Sequence, residues 1–264
     1  MIHIDHPDDP RVAPFRLNER GLTNRAQRRD DGGDGLFMAE GDLVVERALT
    51  AGCVPVMALV DAQRPPTELL TRLDCPVYGG GDRLRAAITK LGMPYNVVAL
   101  FERPTREPAA DLAQRSNRLV IVEAVDNPAN IGSIVRNSLA LGWDGLVFDH
   151  TSADPLARRA LRVSMGHALH LPHARTHDVP GLVHALVADG VTVCALTPAA
   201  DAIDLADVPL TARMALLVGS ERAGLSPAAL AAASYRVAVP MHHGVDSLNA
   251  AAATAVACWQ LRLR

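Results

Sequence analysis

At 264 residues and 49% hydrophobic content the chain is long enough for two domains with a packed core in each. It lacks the run of about 18 apolar residues that a bilayer requires, and its amino end, MIHIDHPDDPR, is acidic and broken by proline where a signal peptide is basic and then apolar. The expectation is a cytoplasmic protein without a membrane span. A net charge of −3 excludes a uniformly basic nucleic-acid binder, and four cysteines without a CxxC pair argue against a zinc knuckle or a disulfide scaffold.

The first 34 residues carry a local excess of arginine: Arg11, Arg16, Arg20, Arg25, Arg28 and Arg29 stand against one acid, Glu19, between Arg11 and Arg29. Guanidinium groups pair bidentately with phosphate, so this segment is a candidate RNA contact; the single lysine of the chain, Lys90, leaves a compositional preference for arginine as the other reading. DDGGDG, Asp30 to Gly35, stops any helix there. Apolar runs then alternate with helical periodicity: LFMA, a helix over Asp42 to Thr50, CVPVMALV, a helix near Thr67 to Leu73, PVYG, a helix near Asp82 to Lys90, and NVVALF. Residues 35–103 therefore form a small α/β domain. The prolines and charges of ERPTREPAADLAQRSN make 104–117 an interdomain linker.

From Arg118 a second alternation runs to the end of the chain. The apolar segments LVIVEAV, GLVFD, Val191 to Leu196, Ala215 to Val218 and Tyr235 to Val239 read as strands. Helices fall near Ile131 to Leu141, Pro155 to Met165, Gly181 to Ala188, Pro227 to Ala233 and Ser247 to Arg262. Strands almost free of charge, separated by helices, indicate a parallel sheet covered on both faces, and such sheets bind ligands beyond the carboxyl ends of their strands. The loops after Val125, Leu196, Val218 and Val239 are the places to search.

Three of those loops carry patterned polar residues. DNPANIGSIVRNS sets Asn130 and Arg136 six residues apart; LVGSERAGLS puts Gly219, Ser220, Glu221 and Gly224 at a strand-to-helix turn; VAVPMHHGVDSLN leads through Pro240 and Gly244 to Ser247 and Asn249, which also suit the cap of the Ala-rich helix that follows. Neither a dinucleotide-type GxGxxG nor a GxxxxGK[ST] phosphate loop occurs, which counts against nicotinamide and nucleoside-triphosphate binding. His167, His170, His173 and His177 straddle a helix-to-strand transition at Pro172 and lack accompanying thiols, so no metal site is expected.

Together the three segments resemble the three motifs of the SpoU (TrmH) branch of the SPOUT RNA methyltransferases. N-x-G-x-x-x-R falls on Asn130, Gly132 and Arg136; G-x-E-x-x-G-L on Gly219, Glu221, Gly224 and Leu225; and P-M-x-G-x-x-x-S-L-N is close to Pro240, Met241, Gly244, Ser247, Leu248 and Asn249, with His242 and His243 where many members have one residue. The match covers 118–264, and the front portion is similar to the small α/β substrate-binding domain that often precedes it.

The resemblance implies a SPOUT-type parallel sheet with a deep trefoil knot, a homodimer, and transfer of a methyl group from S-adenosylmethionine (AdoMet) to a ribose 2′-hydroxyl of ribosomal or transfer RNA, ribosomal RNA being preferred. By family position AdoMet lies against Thr197, Gly219, Val239, Met241 and Leu248, while Asn130, Arg136, Glu221, Ser247 and Asn249 form the catalytic set. Arg136 is the residue implied for the ribose hydroxyl and its phosphate. An arginine stays protonated, which favours electrostatic activation over proton removal by Arg136 itself. A non-catalytic RNA-binding or ribosome-assembly protein of the same fold is the alternative reading, and an α/β oxidoreductase lacks its glycine fingerprint.

Overall fold

The computed structural model describes residues 1–24, 33–90 and 94–263, which fall into two compact units. Unit 1 comprises Met1–Thr105 and Leu156–His170; unit 2 comprises Arg106–Pro155 and Leu171–Arg264.

Unit 1 is built on a five-stranded mixed sheet of β1 (Ile2–His3), β2 (Leu36–Glu40), β3 (Pro55–Asp61), β4 (Val77–Gly80) and β5 (Val97–Glu102), ordered β1-β4-β3-β5-β2. β5 runs antiparallel to both neighbours and the other pairs are parallel. Short helices α1 (Glu19–Leu22), α2 (Asp42–Thr50), α3 (Thr67–Leu70) and α4 (Asp82–Thr89) join these strands. Asp42 lies in the first turn of α2, where a negative charge suits the helix dipole, and the helix buries Val44, Val45 and Ala48. Phe15, Met38, Leu59, Ile88 and Leu100 share one core. A buried ion pair between Arg85 and Asp61, 2.9 Å apart, sits beside it, and the same guanidinium donates to the carbonyl of Gly80. The returning segment contributes α7 (Arg158–Val163), which packs on β2; Arg158 and Arg162 both bond to the buried carboxylate of Glu40.

Unit 2 contains α5 (Ala109–Arg115), β6 (Arg118–Glu123), α6 (Pro128–Ala140), β7 (Gly145–Asp149), β8 (His173–Thr176), α8 (Val179–Ala188), β9 (Thr192–Leu196), β10 (Ile203–Asp204), β11 (Met214–Gly219), α9 (Pro227–Ala232), β12 (Tyr235–Ala238) and α10 (Ala250–Gln260). Its seven strands form one sheet in the order β10-β12-β9-β11-β6-β7-β8, with every pair parallel, as the uncharged strands led one to expect. The interior strand β6 is buried on both faces: Leu119 and Ile121 join a core with Val183, Val193 and Leu217, while Val120 and Val122 point the other way. Helix α5 occupies part of the segment read as a linker. Its few apolar residues, Leu112 and Ala113, are enough to anchor one short face in the same core, a pattern too brief to register as a period. Among the described residues no helix is long and apolar enough to cross a membrane.

Two details of unit 2 are electrostatic. The guanidinium of Arg118 is buried and donates to the carbonyls of Leu261 (2.9 Å), Ala212 (2.8 Å) and Thr211 (3.0 Å), tying β6 to the end of α10. His173 has its Nε2 shut off from solvent with no hydrogen-bond partner among the described residues, and its Nδ1 lies 3.0 Å from the carbonyl of Leu171. Burial, and then the nearby charge of Arg106, push the imidazole pKa down to about 3. A folded-state pKa below the unfolded value means that the unfolded chain alone takes up this proton between about pH 6.5 and 3, so stability falls as pH falls through that window. The unfolding free energy from urea titration should decrease from pH 7 to pH 5, by at most about 1.4 kcal/mol per pH unit from this group, and His173→Gln should flatten the decrease. An equal decrease in the variant would show that the slope arises elsewhere.

Candidate functional site

The carboxyl ends of β9, β11 and β12, with the start of α10, enclose a cavity of about 470 Å³. Its walls include Thr197 and Pro198 after β9, Gly219 to Leu225 after β11, Val239 and Met241 after β12, and Ser247 and Leu248 ahead of α10. These are three of the four loops that the parallel-sheet reading nominated. All five residues expected to hold the cofactor, Thr197, Gly219, Val239, Met241 and Leu248, line it, as do Glu221 and Ser247 from the expected catalytic set.

The loop after β11 is shaped by its glycines. A methyl group on Gly219 would lie 2.3 Å from the backbone carbon of Gly224, so any other residue would force the two limbs apart. Gly224 takes φ +67°, a left-handed value that suits glycine, and its N–H closes the turn on the carbonyl of Ser220 at 3.0 Å. The third loop turns at His243 and Gly244, φ +57° and +73°, with the N–H of Val245 donating to the carbonyl of His242 at 3.2 Å. Two left-handed residues in succession make this a tight turn of the I′ kind, and the additional histidine is accommodated in it.

One hydrogen-bonded junction gathers the three motifs. The Asn130 side-chain amide, from α6, donates to Glu221 Oε1, and Asn249 Nδ2 donates to Asn130 Oδ1 at 3.1 Å and to Glu221 Oε1 at 3.4 Å. Asn249 is at the same time the cap of α10, accepting through Oδ1 from the N–H of Ala251 at 3.0 Å and of Ala252 at 3.4 Å. Both readings of this residue, cap and site, therefore hold. Ser247 is not the cap. Arg136 stands apart: six residues beyond Asn130 it points about 120° away around α6, is exposed, and makes no hydrogen bond or ion pair with the described residues. Asn137 beside it reaches the Ala251 carbonyl at 3.3 Å.

The arginines of the amino-terminal segment divide. Arg11 closes a bidentate pair on Asp9, with Nε 3.0 Å from Oδ1 and Nη2 2.6 Å from Oδ2, and Arg16 bonds to the carbonyl of Pro7. Arg20 is exposed with no side-chain partner among the described residues, and Arg25, Arg28 and Arg29 lie outside them. No group of three or more His, Cys, Asp or Glu among the described residues is arranged to hold a metal ion.

Supporting residues escaped the motif reading. Ala124, at φ +57°, carries the chain from β6 toward α6 in a strained conformation, held by the Asp149 carboxylate accepting from its N–H at 3.0 Å and by Ser152 Oγ accepting from the Val125 N–H at 3.1 Å. Glu123, at the end of β6, accepts from the N–H and the hydroxyl of Ser226 at 2.8 and 2.9 Å, and Ser226 in turn caps α9. A lone acid closing an apolar strand gives no periodic signal; its partner 103 residues away is set by the fold alone. Glu123→Ala should cost about 1–2 kcal/mol of stability by removing two charge-assisted bonds, measured by urea unfolding. An unchanged midpoint would mean that water replaces the carboxylate at no cost.

Comparison with known proteins agrees with this geometry. Residues 117–259 match the SpoU rRNA Methylase family. A relative from Mycobacterium bovis named as a tRNA/rRNA methyltransferase is 38% identical over 262 residues, 96% of this chain and 89% of its own. The 23S rRNA (guanosine(2553)-2′-O)-methyltransferase of Bacillus subtilis is 30% identical over 227 residues, 86% of this chain and 88% of its own. Among solved structures, a SpoU methyltransferase from Streptomyces viridochromogenes in complex with AdoMet superposes with a TM-score of 0.80 at 28% identity, covering 96% of this chain and 97% of its own. With its parallel sheet, its cavity at the strand ends and its three joined motifs, the chain belongs to the SpoU rRNA methylase family.

Proposed function

We propose that this protein transfers a methyl group from AdoMet to a ribose 2′-hydroxyl of ribosomal RNA, at the cavity beyond β9, β11 and β12. The observation that carries the reading is the junction of Asn130, Glu221 and Asn249, which joins the three motif loops beside a cavity of about 470 Å³. That volume lies within the range of about 300–1,000 Å³ common for small-molecule sites. Its apolar walls, Leu196, Val218, Val239, Met241 and Leu248, suit a nucleoside, and the exposed backbone of Gly219 to Gly224 supplies polar groups for its edge. AdoMet, when bound, brings a methyl group already activated on a sulfonium, so the chain has only to align the ribose and accommodate the charge that develops on its oxygen. The name of the Bacillus subtilis relative favours ribosomal over transfer RNA as the substrate, and a ribosomal RNA substrate would place the action in the cytoplasm.

In this reading Thr197, Gly219, Val239, Met241 and Leu248 surround the donor, and Asn130, Glu221, Ser247 and Asn249 set the loops. Arg136, exposed and without a partner among the described residues, engages the ribose hydroxyl and an adjoining phosphate through its permanent charge. Arg20 and the undescribed Arg25, Arg28 and Arg29 add phosphate contacts; Arg11 and Arg16 contribute less, since Asp9 and Pro7 already occupy them. The trefoil knot implied by the family belongs to the same proposal. So does a homodimer: Val256 (42% exposed) and Trp259 (56%) are one turn apart on α10 and Leu263 (59%) lies just beyond its end, exposed apolar side chains that a second copy would cover.

The direct test is transfer of labelled methyl from AdoMet to an unmodified 23S rRNA transcript, with the product mapped as a 2′-O-methyl. Arg136→Ala should lower the rate by about 100-fold or more and leave the AdoMet dissociation constant unchanged; absence of AdoMet binding by the wild type would end the reading. Sedimentation should give twice the chain mass, and Trp259→Asp should shift the protein toward monomer. A wild-type monomer at high micromolar concentration would remove the dimer.

A further inference from the structure

Unit 1 holds a second cavity, of about 410 Å³, formed by residues that none of the three motifs includes. Its walls are the start of α2 at Gly41 to Val44, the segment Pro94 to Asn96 ahead of β5, and Arg162 and Met165 at the end of α7. Three large apolar side chains around it stay open to solvent: Leu43 at 38%, Tyr95 at 39% and Met165 at 36%. Polar groups sit among them. Asn96 Nδ2 lies 3.4 Å from Asp42 Oδ2, a long contact that a better partner can displace. Arg162 shares the buried Glu40 carboxylate with Arg158, so two guanidinium groups meet one carboxylate, and its own side chain remains 35% exposed at the cavity.

This combination restricts the occupant. A wholly apolar ligand would desolvate Asp42, Asn96 and Arg162 without bonding them. A simple anion would meet the Asp42 carboxylate and make no use of Leu43, Tyr95 or Met165. An unstacked nucleotide uses every wall: an aromatic ring stacks with its base, a carboxylate and an amide bond to the base edge, and a guanidinium meets its phosphate. We propose that this cavity receives one unpaired nucleotide of the RNA substrate, with its base against Tyr95, its edge on Asn96 and Asp42, and its phosphate toward Arg162. The inference rests on the reading of the protein as an RNA methyltransferase and adds a docking point whose residues are distinct from those that handle the methyl donor.

The test uses the full chain and two ligands, an unmodified 23S rRNA transcript in filter binding and AdoMet in calorimetry. Tyr95→Ala should weaken transcript binding by roughly 5- to 100-fold, the loss expected for one base–aromatic stack. Tyr95→Phe should bind as the wild type does, and AdoMet affinity should be unchanged in both. Should Tyr95→Ala fail to fold, Tyr95→Leu, which keeps apolar bulk without an aromatic face, should show the same loss. Asn96→Ala should weaken the transcript by a smaller factor. If the Ala or Leu variant and Asn96→Ala all retain wild-type affinity for the transcript, the nucleotide site is overturned while the methyl-transfer reading stands. If the wild type binds AdoMet but never retains RNA, both fall together.

Discussion

The hydrogen-bonded meeting of Asn130, Glu221 and Asn249 is the constraint on which the rest of the site depends. Each residue comes from a different motif, Asn130 from the first turn of α6 and the other two from loops 91 and 119 positions further on, and no backbone ladder joins them directly. Glu221 Oε1 accepts from both asparagine amides, and the Asn249 amide donates to the Asn130 carbonyl as well, so the carboxylate is satisfied by neutral groups and needs no salt bridge. Arginine at this point would pair with Glu221 and be lost to a substrate. Two asparagines leave Arg136 unpaired among the described residues, available to a polyanion.

The supports behind that junction follow the direction of the sheet. At the carboxyl ends of the strands, Glu123 fixes the loop after β11 through Ser226, and Asp149 with Ser152 fixes the strained turn at Ala124. At the opposite end of β6, Arg118 gathers carbonyls from Asn117, Thr211, Ala212 and Leu261. A buried guanidinium bonded to carbonyls carries a desolvation cost that lowers its pKa from the ordinary value, the charge of Asp144 opposing this only in part, and its several bonds offset that cost. The return is positional: the end of α10 is tied to the strand that leads into α6. The helix capped by Asn249 at its start is thereby held at both ends.

How much of this was legible in the sequence depended on whether the information was local. The run LVIVE and the segment GLVFD are readable because a strand buried on both faces must be apolar throughout, and β7 occupies the very residues expected, Gly145–Asp149. Helix α6 begins earlier than its apolar period because Asn127 caps it and Pro128 opens it, whereas periodicity marks only the buried stripe. The second and third motif segments contain Gly219, Val239, Met241 and Leu248 of the five cavity-lining residues assigned to the donor, and Thr197 came from family position in a loop outside them. Spacing could not locate Glu123, Asp149 or Ser152, whose partners lie far away in sequence or in a turn. Nor could it divide the amino-terminal arginines, since that division depends on Asp9 being within reach of Arg11 and the Pro7 carbonyl within reach of Arg16.

That division bears on how a chain of net charge −3 can hold RNA. Counterion release rewards each cation that meets a phosphate, but an arginine already closed on a carboxylate must break one pairing to make the other. Arg11 is engaged in this way with Asp9 and Arg85 with Asp61, whereas Arg158 and Arg162 share the one carboxylate of Glu40 and so leave a net positive charge. The described arginines without such a partner include Arg20, Arg136 and Arg222, the last at the rim of the cavity. A few unpaired charges at chosen points give weak general attraction and leave selection to contacts that double-stranded RNA cannot offer, such as a stacked base. For an enzyme that must single out one ribose among thousands bearing the same phosphates, this balance of little charge and much shape is the one that discriminates.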